Sequence, residues 1–351
     1  MGLLSALHID SAIGHINPAA TGAASGEERF GQAASALGLT LGSVDTHWGR
    51  AKPEHFRSLD RSIPTAAIVH GGDSTANGVV SAMLGVVRDD YAATKANLAE
   101  QAERISNTLL VLLAGGYACN AANSALGPYA TKPKLLETAT DVQVGRLRPL
   151  GYRVLSAAGV VTDCGVVTSC IGLQMTPNIA RALEVQKPNL CGLKPPHRLA
   201  REGITMLDEM WHAEQFSLKT TITQDGKAQE RLLSDLTAFE LVGTNRYAQF
   251  GKTPARINDT NQQLILERYR RNPALRAFGI IGALGRLITG RHREKPLDFA
   301  GIKLAIQLES EHPIPFHVDG GIDRRFVLHH GETLELELLP DVAIPVLIRD
   351  V

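Results

Sequence analysis

Two apolar runs, each closed by a pair of glycines, constrain this chain more than any other feature. Ala66-Ala67-Ile68-Val69-His70 stops at Gly71-Gly72, and Leu109-Leu110-Val111-Leu112-Leu113 stops at Gly115-Gly116. Short apolar runs without polar alternation suit strands covered on both faces. After Gly72, Ser74-Thr75 opens a helical spacing through Val79, Val80, Met83 and Leu84. An earlier unit has the same form. A β segment ends at Ile16, a Gly-, Ala- and Ser-rich turn runs from Asn17 to Gly26, and a helix is expected from near Glu27 to near Gly38. Strand, glycine turn and helix in repetition predict a parallel α/β layer.

The character changes after about Lys134. Gln143 to Arg148, Arg153 to Leu155, Val166 to Ile171, Ser217 to Thr223, Ala238 to Val242 and Ile302 to Leu308 are short β-type runs. They predict an antiparallel sheet or sandwich, interrupted by helices over Pro195 to Trp211 and Thr260 to Ile288. Thr333 to Leu338 and Ile344 to Ile348 are again strand-like. At 351 residues the chain has room for about two domains.

Composition narrows the function classes. Lys+Arg and Asp+Glu are 36 each, so no global field recruits nucleic acid or an anionic surface. Aromatics are 5% and no nucleic-acid motif is present, so no nucleic-acid role is expected. Cys119, Cys164, Cys170 and Cys191 have no zinc spacing, which predicts reduced, buried thiols and a reducing compartment. His329-His330 and His292 lack metal-binding companions at helical or hairpin spacing and fit a solvated surface. The N-terminal stretch lacks a basic leader, Gly2 with Ala6 misses the myristoylation pattern, and no apolar run is long enough for a transmembrane helix. Leu275 to Ile288 is unusually apolar and is followed by Arg291, Arg293 and Lys295, with Arg268, Arg270 and Arg271 before it. It fits a core helix with a basic end, or an interfacial helix meeting anionic headgroups.

A glycine turn between strand and helix lets backbone amides approach a phosphate at the helix N-terminus. Three such turns are present, Asn17 to Gly26, Gly71 to Thr75 and Gly115 to Asn120. None is a GxxxxGK[ST] loop and none is GxGxxG, so a nucleotide site here is of another kind.

Ala67 to Val80, with Gly71-Gly72-Asp73-Ser74-Thr75 at its centre, resembles the GGDGT signature of diacylglycerol, sphingosine and ceramide kinases and the more distant NAD kinases. Ile16-Asn17-Pro18 with Thr21-Gly22 resembles the family's NPxSG loop. Gly115-Gly116 through Asn120 sits where the family has GTxND. Asp141-Val142 and Val167 to Leu173 are similar to strands opening its second domain. Phe316-His317-Val318-Asp319-Gly320-Gly321 resembles its late DGE motif, and the last strands, with Leu339-Pro340, resemble its closing segment. The motifs occur in the family's order over nearly the whole chain.

The resemblance implies an α/β N-terminal nucleotide-binding domain, residues 1–134, completed by the closing segment 324–351. A larger antiparallel β-sandwich-like domain, residues 135–323, would hold a lipid, with the active site in the inter-domain cleft. It implies a lipid kinase moving the γ-phosphoryl of ATP, with Mg2+ carried on the nucleotide, to a lipid hydroxyl such as that of diacylglycerol, ceramide or a sphingoid base. It implies a cytoplasmic enzyme peripheral to a membrane. Asp73 and Asp319 are the expected catalytic carboxylates. Asn17, Pro18, Thr21, Gly22, Gly71, Gly72, Ser74, Thr75, Gly116, Asn120 and Gly320 are the expected nucleotide contacts. A capping role for Asp73 on its own helix competes with the catalytic one.

The chain departs from the family at three places. Ser74 stands for the fourth residue of GGDGT, Tyr117 and Asn120-Ala121 for the Thr and Asn-Asp of the third turn, and Gly321 for the late Glu. Asp319 and Asp323 are candidate replacements for that carboxylate. The departures support an alternative, a catalytically impaired lipid or nucleotide sensor on the same fold. NAD kinase activity is a weaker third reading.

Overall fold

The computed structural model describes residues 9–20, 22–46, 64–88, 90–116, 119–190, 195–247, 251–321, 326–339 and 341–350. Thr21, Tyr117, Cys191, Asp323 and Pro340, singled out above, lie outside the described residues.

The first sheet is built from β1 (Ser11–Ile16), β2 (Thr40–Asp45), β3 (Thr65–Gly71), β4 (Thr108–Ala114), β5 (Val142–Leu147) and the last strand of the chain, Ile344–Arg349. Its order is β2-β1-β3-β4, then the last strand, then β5. The first four are mutually parallel, and the last strand runs parallel to β4 and antiparallel to β5. Every residue of β3 and β4 is buried, as their unbroken apolar sequence requires. Helices α1 (Gly26–Ala36), α2 (Asp73–Met83), α3 (Tyr91–Ile105) and α4 (Asn120–Leu126) connect these strands. Asp90 caps α3 by accepting a hydrogen bond from the Ala93 amide at 2.9 Å.

The remaining strands are β6 (Leu150–Leu155), β7 (Val161–Val167), β8 (Cys170–Gln174), β9 (Phe216–Gln224), β10 (Lys227–Leu236), β11 (Ala238–Val242), β12 (Arg246–Tyr247), β13 (Gly251–Lys252), β14 (Asn261–Glu267), β15 (Leu297–Asp298), β16 (Ile302–Leu308), β17 (Ile314–Val318), β18 (Val327–Leu328) and β19 (Thr333–Leu338), which makes the last strand β20. They form two six-stranded antiparallel sheets, β10-β9-β16-β19-β6-β7 and β15-β14-β11-β8-β17-β18, and a small β12-β13 ribbon. Inward side chains of the two large sheets make one apolar core. Tyr152, Ile306 and Leu336 on one side meet Phe239, Leu173 and Phe316 on the other. The outer face of the third sheet is covered by helices α5 (Met175–Leu190), α6 (Pro195–His212) and α7 (Pro273–Thr289), through Met175, Met210, Ile280 and Leu287.

Several expectations change. Thr260 to Ile288 is not one helix: Asn261–Glu267 pairs with β11, and the helix starts at Pro273, capped by Asn272. Pairing on a half-built sheet overrides the local helical spacing. Val166 to Ile171 is split by a turn at Thr168-Ser169. Val142–Leu147 pairs in the first sheet and Thr333–Leu338 in the second.

Candidate active site

The three glycine turns meet at the carboxyl ends of β1, β3 and β4, where open α/β sheets place their ligands. The Asn17 amide donates to the His70 carbonyl at 3.1 Å, and the Gly22 amide to the Gly115 carbonyl at 2.7 Å. The Asn17 side chain accepts from the Ala19 amide and donates to Thr75 Oγ1, both at 2.9 Å. A Cβ at Gly116 would fall 2.7 Å from the Gly72 nitrogen, and one at Gly115 2.7 Å from His70 Nδ1. Gly116 is therefore needed for backbone to lie on backbone, and Gly115 for backbone to lie on the His70 ring. Asn17, Gly22, Gly71, Gly72, Thr75, Gly116 and Asn120 lie together in this cluster of turns. Pro18 and Ser74 are exposed at the rim. Ser74 lies within the first turn of α2 and has no positive φ, so replacing glycine there brings no backbone strain.

Asp73 does not cap its own helix; Gly72 occupies that position. Its carboxylate instead accepts from the Asn120 amide at 3.0 Å and the Ala121 amide at 2.8 Å, capping α4. Burial pushes its pKa up to about 6, with the Asp319 charge adding to the rise and the two amides opposing it. Burial and the Asp73 charge push the Cys119 thiol up to about 12. His70, beneath the turns, is pushed down to about 4 by burial and by Arg29.

Asp319 sits fully buried at φ 51°, just before Gly320 at φ 69°. One carboxylate oxygen accepts from Asn77 Nδ2 (2.6 Å), the Thr168 amide (2.7 Å) and Thr168 Oγ1 (2.8 Å). The other accepts from the Ser169 amide (2.6 Å), Ser169 Oγ (2.7 Å) and the Cys170 amide (2.8 Å). Asp319 thus ties α2 of the first sheet's layer to the β7–β8 turn and β17. All its acceptor capacity is in use. At Gly321 a Cβ would lie 3.0 Å from the Val318 carbonyl, a tight contact that a side chain there would have to relieve by a small shift.

Sequence reasoning passed over two residues beside this cluster. Glu240 on β11 and His317 on β17 are both buried, and their side chains approach to 3.7 Å between Oε1 and Nε2. Neither Glu240 oxygen nor His317 Nε2 has a hydrogen-bond partner, and Asn120 Oδ1, Asn245 Oδ1 and Gln174 Oε1 are also unpartnered. Buried polar atoms are nearly always satisfied, so two unpartnered carboxylate oxygens at one buried position are unusual. A glutamate within the buried run Ala238–Val242 was the available sequence signal.

A groove of about 610 Å³ runs beside the first turn, between α1 and residues 131–138, with Arg29, Lys132 and Lys134 in its wall. A wider one, about 850 Å³, lies between α3 and the outer face of the second sheet; none of its wall belongs to the glycine turns. Cys119, Cys164 and Cys170 are buried and none of them is in a disulfide. Among the described residues no helix is long and apolar enough to cross a membrane, and no three His, Cys, Asp or Glu side chains are disposed around a metal position.

No protein-family model matches the sequence, and no curated protein matches it. Solved structures do. A diacylglycerol kinase from Bacillus anthracis str. Sterne superposes with a TM-score of 0.55 at 14% identity, covering 97% of each chain. Yeast NADH kinase complexed with NADH matches with a TM-score of 0.50 at 10% identity, over 97% of this chain and 84% of that one. At these identities the likeness is one of fold. The chain has the architecture shared by diacylglycerol kinase-like and NAD kinase-like proteins, an α/β unit joined to an antiparallel β unit.

Proposed function

We propose that the chain is an ATP-dependent kinase that phosphorylates a lipid hydroxyl. The observation that carries the reading is the convergence of three glycine turns and Asp73 at the carboxyl ends of β1, β3 and β4, facing the loop that holds Asp319. In this reading the first sheet's unit, β1 to β5 with the closing strand β20, holds the nucleotide, and the antiparallel unit holds the acceptor. Amides of the glycine turns and of the α2 N-terminus take the phosphates. The groove beside them is lined by Arg29, Lys132 and Lys134 together with Glu28 and Glu137, so its wall carries only a small positive excess.

The chain's own residues do the positioning. Asp73 fixes the start of α4 and so the third turn; Asn17 and Thr75 fix the first turn against the second. Asp319 and Asn77 hold the antiparallel unit's β7–β8 turn against α2. Phosphoryl transfer depends mainly on such positioning and on charge stabilisation. Magnesium would travel on the nucleotide phosphates. The carboxylates of Asp73 and Asp319 are engaged by amides and hydroxyls, so they do not fit a protein-held metal site and no step is derived through one.

Contact with a lipid surface is supported by α6 and α7. Leu275, Phe278, Ile281 and Ile288 are exposed in one stripe of α7, and Leu199, Ile204, Leu207 and Trp211 are exposed on α6. Arg268, Arg270 and Arg271 precede the α7 stripe and Arg291, Arg293 and Lys295 follow it, all exposed. An apolar stripe with basic ends fits an anionic membrane interface. The setting would be cytoplasmic and peripheral, in keeping with three buried cysteines that form no disulfide.

A second reading, a sensor that binds nucleotide or lipid without turnover, is favoured by the saturation of Asp319 together with Gly321. A radiolabelled ATP assay with diacylglycerol, sphingosine, ceramide and a polyprenol in mixed micelles, with NAD as an off-class acceptor, separates the two. Label in a lipid that is lost in Asp73→Asn supports the kinase. Nucleotide binding with no labelled product from any acceptor supports the sensor, and label in NAD alone refutes both.

A further inference from the structure

Glu240 and His317 occupy strands that flank β8, Glu240 opposite Gly172 on one side and His317 opposite Gly172 on the other. Strands two apart stand about 10 Å from one another, yet these side chains lean together over β8. Gly172 makes this possible. A Cβ there would lie 2.6 Å from Glu240 Cδ and 2.7 Å from His317 Nε2. The pair lies on the face of the third sheet turned away from the sandwich core, whose inward residues are Phe239, Leu241, Ile171 and Phe316.

The hydrogen-bond pattern fixes what the pair can take. The Gly320 amide donates to His317 Nδ1 at 3.1 Å. A neutral ring therefore carries its proton on Nε2, where it is a donor. Its separation from Glu240, 3.7 Å, is too long for a hydrogen bond, and both Glu240 oxygens are unpartnered. Two carboxylate oxygens, with Gln174 Oε1 one strand row away, form a buried acceptor set lacking donors. His317 belongs to the same turn as Asp319, whose carboxylate accepts from Asn77 on α2, the helix that follows the second glycine turn. The turn carrying the pair therefore meets the layer that holds the glycine turns.

We propose that Glu240 and His317 bind the head group of the acceptor, and that they select heads with two hydrogen-bond donors on neighbouring carbons. One donor is the reacting hydroxyl and the other a second hydroxyl, an amine or an amide N–H. Each donor meets one Glu240 oxygen, while His317 Nε2–H donates to the head's oxygen. Monoacylglycerols and sphingoid bases carry such heads. Diacylglycerol and polyprenols offer a single hydroxyl, which leaves one buried carboxylate oxygen unsatisfied. This inference rests on the kinase reading for its turnover assay, although binding tests it separately.

The test compares acceptors of matched chain length, a sphingoid base and a monoacylglycerol against a diacylglycerol and a long-chain alcohol. Wild type, Glu240→Gln and Gly172→Ala are run in parallel. Wild type should prefer the two-donor acceptors by roughly 10²-fold or more in kcat/KM, as sites built around a substrate donor do. Glu240→Gln should erase most of that preference and leave the nucleotide Kd within about twofold, since the nucleotide contacts lie on other loops. Gly172→Ala should do the same without removing either functional group. A purely structural pair gives a different pattern: Glu240→Gln raises Tm by relieving a buried unpaired acid, with no change in acceptor preference. That pattern, or a wild type indifferent to the number of donors, overturns the proposal. Should wild type phosphorylate nothing, the kinase reading fails. Equilibrium binding of fluorescent two-donor and one-donor lipids to the same proteins then decides the head-group site, with preference lost in Glu240→Gln expected and equal binding refuting it.

Discussion

Asp319→Ala should weaken the fold rather than merely silence the site. The native carboxylate accepts six hydrogen bonds from Asn77, Thr168, Ser169 and Cys170. After truncation the two hydroxyls can turn to other acceptors, and Asn77 Nδ2 keeps its bond to the Val166 carbonyl at 2.6 Å. The amides of residues 168, 169 and 170 cannot turn, because the chain direction fixes them. Three buried, unsatisfied amides at about 1 to 3 kcal/mol each, softened by any water that enters the space, give a loss of about 4 kcal/mol. With an unfolding entropy of about 2.1 cal/mol/K per residue over 351 residues, that loss lowers Tm by about 5 to 6 °C if the chain unfolds as one unit. Asp319→Asn keeps one acceptor oxygen and should fall between wild type and Ala. Circular dichroism melts of the three proteins make the comparison. A Tm for Asp319→Ala within about 1 °C of wild type, with turnover lost, would refute the clamp and return Asp319 to the chemistry.

Four more outcomes are expected. Asp73 has a folded pKa above its unfolded value, so the native state binds the extra proton between about pH 4 and 6, and this group's contribution to stability falls as pH rises through that window. His70 is lowered to about 4, so there the unfolded state binds the extra proton and stability rises with pH from about 4 to 6.5. Urea midpoints from pH 4 to 7 should therefore slope downward in His70→Gln and upward in Asp73→Asn, and parallel slopes would refute the assignments. Gly116→Ala should weaken nucleotide binding by at least about tenfold in calorimetry, since its Cβ enters Gly72. Gly203→Ala, in open space on α6, should bind normally and gain about 0.5 to 1 kcal/mol of stability. Phe278→Asp, at a residue 73% exposed, should leave Tm unchanged and abolish sedimentation with anionic liposomes; retained sedimentation would remove α7 from the membrane contact.

The strands buried on both faces were the most legible elements. Ala66 to His70 and Leu109 to Leu113 have no polar alternation to be misread, and Ile302 to Leu308 and Thr333 to Leu338 were placed to the residue. The glycine turns and Asp73 were legible as a cluster because chain order along a parallel sheet brings them to one edge. What Asp73 touches was not legible, since its partners at Asn120 and Ala121 lie 47 and 48 residues away. Asp319 was visible as a carboxylate, but its engagement by Thr168 and Ser169 depends on a turn that the run Val166 to Ile171 conceals. Glu240 and His317 meet only because β11 and β17 flank the same strand, a pairing set by sheet order that local pattern does not encode.

The placement of β20 bears on how the molecule is made. Ile344–Arg349 lies between β4 and β5, in the interior of the first sheet. During synthesis the N-terminal layer emerges first but has a gap where this strand belongs, with the edges of β4 and β5 open. The strands from β6 to β19 form their sheets without it. The antiparallel unit can therefore mature while the glycine-turn layer waits, and the edge that carries the glycine turns is finished last, once the final strand inserts. Until then the open edges are a place for non-native strand pairing, so a ligand on the glycine turns should favour correct completion of the sheet as well as occupy the site.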